Sequence, residues 1–286
     1  MSIVKISVPI TGADRDVMAL STAFQMARAF NAHVEVLFIQ RDPRDVVVYA
    51  TMTLRPEITE NVINAEIELQ EAASLAAQRN FSNAAADCGV RIMDVPSRIG
   101  AATANYRAVT GHLGQVMADA ALLSDLVVFP PIVKGDDLHN AFLQVLLKVG
   151  RPVLLSARGK PAHIGQRVAI GWDGRSAAAK ALVAALPILE KAETAQLVTI
   201  GPLSGNECSI EDARKFLALH EIRCSELIIE RGSRPVSEML VDAATASGYD
   251  LLVVGGYGHS RLAESIFGGV TEGIVSHAEL PILLVH

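Results

Sequence analysis

A chain of 286 residues, half of them hydrophobic and a fifth charged, can bury a sizeable core and is long enough for two ordinary domains, which excludes intrinsic disorder. A net charge of −6 with no clustered Lys/Arg surface argues against a nucleic-acid binder. No apolar run approaches the roughly 18–20 residues that span a bilayer, so no membrane association is expected.

The opening MSIVKISVPI lacks a basic start followed by a long apolar segment and reads as a first β-strand, not a signal peptide. Further strands are predicted at residues 33–38, 90–95, 126–129 and 153–156, the first being 3–8, with a long helix near 57–86 between the second and third. The helix breakers of 157–165 read as a linker. Beyond it, strands are predicted at 168–172, 196–200, 225–230, 251–255 and 282–285, again with helices between them. Three cysteines, Cys88, Cys208 and Cys224, stand far apart. That spacing fits buried thiols in a reducing cytoplasm, and neither a disulfide framework nor a zinc site.

The order of elements occurs twice, and three matches support an internal duplication. Residues 6–12, ISVPITG, align with 168–174, VAIGWDG; Asp125-Leu-Val-Val aligns with Asp250-Leu-Leu-Val-Val; Arg151-Pro-Val-Leu-Leu aligns with Leu280-Pro-Ile-Leu-Leu. Short β-branched runs alternating with helices imply parallel sheets with crossover helices. The expected fold is therefore α/β, with two tandem open parallel five-stranded sheets carrying helices on both faces. The halves, 1–156 and 166–286, should pack as a pseudo-dimer about a pseudo-two-fold axis.

Chemistry concentrates after the strand at 251–255. Gly255-Gly256-Tyr257-Gly258 is followed by nine residues, then Gly268-Gly269-Val270-Thr271 and a helix at 271–277. In an open parallel sheet, ligands sit beyond the carboxyl ends of the strands. Glycines let the backbone approach an anion, successive amides form a nest, and the positive end of a helix dipole stands behind them. Thr271 can add a hydroxyl or cap the helix. The pattern is neither a Walker A loop nor the GxGxxG fingerprint. Gly258-His-Ser-Arg-Leu262 fails the last glycine of a hydrolase elbow, so a Ser260 nucleophile has little support.

The loop resembles the signature of the universal stress protein (UspA) family, Gly-x2-Gly-x9-Gly-Ser/Thr, with Gly255, Gly258 and Gly268 at its glycines, and the duplication resembles the family's tandem members. This resemblance implies a cytoplasmic ATP-binding stress protein of adenine-nucleotide α-hydrolase-like fold. It would hold one ATP per chain, with or without Mg²⁺, on Gly255, Gly258, Gly268, Gly269, Val270 and Thr271. Asp173 would face the nucleotide, and the backbone of Ile200 would hold the adenine edge. Gly269 stands where the family has Ser or Thr, which removes one hydroxyl contact. In the first half, prolines 130 and 131 replace the glycines and Thr11 replaces the aspartate, so that half reads as a degenerate copy with a packing role.

Bland readings stand beside these: Asp173 as a turn-forming residue, Trp172 as core packing, Arg175 and Arg261 as solvated surface. No residue stands out as a general base or obligatory metal ligand, so at most slow hydrolysis is expected. The competing function is a scaffold of the same fold that binds partners without nucleotide. Further self-association of chains is left open.

Overall fold

The computed structural model describes residues 2–40, 56–97, 100–159, 162–203, 208–256, 269–277 and 279–286. Eleven strands form one sheet. In the first half these are β1 (Lys5–Ile10), β2 (His33–Gln40), β3 (Arg91–Ile92), β4 (Thr103–Thr110), β5 (Leu126–Phe129) and β6 (Val153–Leu155); in the second they are β7 (Arg167–Gly171), β8 (Thr194–Ile200), β9 (Cys224–Ile229), β10 (Leu251–Gly255) and β11 (Ile282–Val285). Their spatial order is β3-β4-β2-β1-β5-β6-β11-β10-β7-β8-β9.

Among the described residues every strand pairing is parallel except one. β6 runs antiparallel to β11, with Leu154 opposite Leu283. The two expected sheets thus join through their fifth strands, and each half keeps the doubly wound order third-second-first-fourth-fifth. An antiparallel seam between equivalent strands is what a pseudo-two-fold axis generates.

The helices are α1 (Asp16–Phe30), α2 (Pro56–Cys88), α3 (Leu113–Leu122), α4 (Asp137–Leu143, continued by a wider turn over Gln144–Val149), α5 (Ser176–Leu189), α6 (Ile210–Leu219), α7 (Val236–Ala246) and α8 (Gly269–His277). They cover both faces of the sheet and define two cores. One gathers Ile6, Val8, Phe24, Phe81, Leu182 and Leu197, and the other Phe129, Phe142, Leu146, Leu252 and Leu284. Strands sandwiched in this way are apolar nearly throughout, as Leu126–Phe129 and Ile282–Val285 are. The stripes expected as core faces are so placed: Ala178, Ala181, Leu182, Ala185 and Leu189 of α5 are buried, as are Ala77, Phe81 and Ala85 of α2.

The extra length of the first half is α2. It spans 33 residues where its counterpart α6 spans ten. Phe81 anchors its C-terminal half against Phe24 and Tyr106. Two sequence expectations need correction. The strand expected at 90–95 is only the two-residue edge β3, and the true third strand is the eight-residue β4. Of the cysteines expected to be buried, Cys208 is exposed, while burial pushes the Cys224 thiol up to about 11; none of the three is disulfide-bonded. Among the described residues no helix is long and apolar enough to cross a membrane.

Candidate functional site

Strand order reverses between β7 and β10, and there the carboxyl ends of the strands open into a cleft of about 410 Å³. Ligands bind at such switch points because the crossover helices leave to opposite faces. Asp173, Ile200, Gly255, Val270 and Thr271 all line this cleft. Five residues chosen from sequence thus converge, from three strand ends and one helix start. Gly269 is the first residue of α8. Gly258, Gly268, His259, Ser260 and Arg261 lie outside the described residues.

The reason for each residue type differs from place to place. At Gly255 the backbone φ is not positive. Its glycine is required by packing: a Cβ there would lie 2.6 Å from the Ala178 nitrogen and 2.7 Å from the Ala177 carbonyl oxygen. The end of β10 therefore presses on the first turn of α5, and only a bare Cα allows that approach. Asp173 is exposed at the rim, and its Oδ1 accepts from the Arg175 backbone N–H at 3.0 Å. It is thus a turn-former and also a cleft residue. Trp172 is buried, and its Nε1 donates to the Cys208 carbonyl at 3.2 Å. This is the packing role, and it ties the approach to α6 onto the end of β7.

Thr271, 5% exposed, sits in the first turn of α8, whose start lines the cleft through Val270 and Thr271 and brings the positive end of the helix dipole to it. Glu272 follows it, an unfavourable neighbour for an anion. Its carboxylate is neutralised from the other half by Lys134 Nζ at 2.6 Å. Among the described residues three charged side chains line the cleft: Asp173, Arg175 and Arg231. Arg231, together with Leu203, Val236 and Leu240, escaped the sequence reading. The available signal was topological, since Arg231 directly follows the third strand of the second half at its carboxyl end.

The first half has a cleft at the equivalent place, about 890 Å³, lined in part by Thr11, Gln40, His112, Asp136 and Asp137. Its chemistry is reversed. The turn amides of Thr11 and Gly12 donate to Asp16 Oδ2 at 2.8 and 2.6 Å. Burial pushes the Asp16 carboxyl up to about 6, against the lowering effect of those amides. Asp136 caps α4 by accepting from His139 N at 2.7 Å and also binds Arg15 at 2.6 Å. Gly12, at φ +85°, lies so close to α2 that a Cβ would stand 2.8 Å from Ala73 Cα. The long helix thus crosses the mouth of the turn.

Among the described residues no group of His, Cys, Asp and Glu could hold a metal ion. Of the partners a Ser260 nucleophile would need, Glu272 is ion-paired to Lys134 and His286 Nδ1 faces the Gly256 carbonyl oxygen at 3.0 Å.

Fold and cleft together define a tandem, doubly wound α/β protein with a cleft at the switch point of its second half. Residues 202–286 match the universal stress protein family. A universal stress protein from Archaeoglobus fulgidus is similar over 98% of this chain and 97% of its own, at 13% identity and a TM-score of 0.67. Two proteins from Pseudomonas aeruginosa, one bearing that family's name and one of unknown function, reach a TM-score of 0.58 at 17% and 16% identity. Each covers 99% of this chain, and 93% and 92% of its own. A comparison with curated protein sequences gave no match. The chain shares the fold of these proteins along its length, and the family match is confined to residues 202–286.

Proposed function

We propose that the second cleft binds an adenine nucleotide, ATP foremost, at one site per chain, and that the bound nucleotide tunes stability or association with at most slow hydrolysis. The observation that carries this reading is the convergence of Gly255, Val270 and Thr271 with Asp173 and Ile200 around one cleft whose far wall is a helix N-terminus. A volume near 410 Å³ lies within the range of small-molecule sites. Gly255, Gly258, Gly268, Gly269, Val270 and Thr271 would hold the phosphates, and Ile200 the base. The nucleotide would supply charge and a γ-phosphate; the chain supplies amides, a hydroxyl and enclosure. Mg²⁺ would be held through the phosphates, since the described residues offer no metal cage.

In this reading residues 1–156 form a degenerate domain, 157–165 the linker and 166–286 the binding domain, in a cytoplasmic protein. The scaffold alternative has one observation in its favour: packing against Ala177 and Ala178 suffices to require Gly255. Calorimetry on the purified chain with ATP, with and without Mg²⁺, decides between them. Saturation at one equivalent is expected, lost in Gly258→Val and in Gly268→Val with the fold retained. A flat titration of the wild type leaves the scaffold.

A further inference from the structure

The nucleotide cleft has two ends set by the strand order. Its anion-binding end lies at β10 and the start of α8. From there the lining passes over β7 and β8 and stops at the loop after β9. That traverse is three strand spacings, about 14 Å. Arg231 stands at the far end. An arginine in a nucleotide cleft suggests a phosphate contact first, but this one is placed as far from the α8 amides as the lining extends.

What lies beside it is the turn after β8. Gly201 N donates to the Ile229 carbonyl at 2.7 Å, which draws this turn against the end of β9. The Arg231 side chain lies along it: its Cβ and Cδ would be 3.2 and 3.7 Å from a Cβ built on Gly201. The stem is therefore seated on bare backbone and the residue is exposed in the cleft. Among the described residues no ion pair engages its guanidinium. The lining contributed by the end of β8, the turn after it and the start of α7 is apolar: Ile200, Pro202, Leu203 and Val236. An apolar pocket with one planar cation suits a flat, uncharged ring, because a guanidinium stacks on π-systems and presents donors to ring nitrogens.

Building on the nucleotide reading above, we infer that Arg231 is a base-recognition residue, its guanidinium stacked on or bonded to the purine of the bound nucleotide and not to its phosphates. A ligand lacking phosphate then feels Arg231 as strongly as ATP does, and a ligand lacking the base does not feel it.

The test measures the affinities of ATP, adenosine and inorganic tripolyphosphate for the full-length wild type, Arg231→Ala, Arg231→Lys and Thr271→Val, with thermal melting to confirm that each folds. Arg231→Ala should weaken ATP and adenosine by the same factor, about 2- to 30-fold, and leave tripolyphosphate unchanged. Arg231→Lys should fall between wild type and alanine, and Thr271→Val should weaken ATP and tripolyphosphate but not adenosine. Loss confined to ATP and tripolyphosphate in Arg231→Ala would make Arg231 a phosphate ligand and overturn the inference, as would no loss for any ligand. If wild type binds none of the three, the nucleotide reading itself fails.

Discussion

The first and second clefts are equivalent in topology and opposite in what they offer an anion. Among its described residues the second is lined by Arg175 against Asp173, with Arg231 at the far end from α8. The first has Arg15 against Glu66, Asp136 and Asp137. More telling is where the donors are committed. In the first half the amides after β1 are taken by Asp16, and the start of α4 is taken by Asp136. A phosphate arriving there would meet satisfied amides and like charge. The cleft recurs because the sheet creates it; in the first half carboxylates sit on the backbone donors. The first half, read from its sequence as having a packing role, has a roomy cleft of its own.

The sharpest way to break this contrast is to close the second cleft at its seam. Gly255→Val places a branched side chain against the Ala177–Ala178 peptide unit, where even a Cβ is too close. Either α5 or the end of β10 must move, so a loss of about 3 kcal/mol or more is expected, with ATP binding abolished. Denaturant unfolding and calorimetry read the two effects. A variant as stable as wild type would show that the seam is looser than the distances imply.

Much of this architecture was legible in the sequence, and the failures have a common cause. The strands at 126–129, 251–255 and 282–285 were placed to the residue, because strands buried on both faces carry continuous apolar runs. β4 was missed because one of its faces is buried through hydrogen bonds and not through hydrocarbon. Thr103 and Asn105 meet the His33 ring nitrogens at 2.8 and 2.9 Å, and Arg107 pairs with the buried Glu35 carboxylate. Hydropathy is blind to a satisfied polar face. In the site, Gly255 was found by its motif while its packing reason was invisible, since the partner backbone lies some 77 positions earlier in the chain. Likewise the loss of the first aspartate was read from Thr11, but not that Asp16, on the next helix, takes over its amides.

That replacement carries the next prediction. The Asp16 carboxyl has its folded pKa raised by burial to about 6, above the unfolded 3.8. The folded state therefore holds the extra proton between these values. Its contribution to stability is full below about pH 4 and is lost as pH rises through 6, a swing of about 3 kcal/mol. Asp16→Asn cannot titrate, so its stability measured against wild type should rise by that amount between pH 4 and 7. Parallel stability curves across that range would show that the amides of Thr11 and Gly12 hold the carboxylate at its ordinary pKa.

The smallest effect tests whether the two clefts are energetically separate. Lys134 follows β5 in the first half, one residue from Gly135 and two from Asp136 of the first cleft; Glu272 follows Thr271 of the second. Their ion pair at 2.6 Å is largely open to water on the lysine side. Its worth to folding is therefore at most about 1 kcal/mol. Its worth to binding is of a different kind, because Lys134→Ala leaves the Glu272 charge uncompensated in the first turn of α8, where the proposed nucleotide would place its phosphates. ATP affinity should fall by a few-fold, more at low than at high salt, since screening acts on exposed charges. Glu272→Gln should restore it in the double variant, because the repelling charge is then gone. A double variant still as weak as Lys134→Ala would mean that the lysine acts on α8 through something other than that carboxylate.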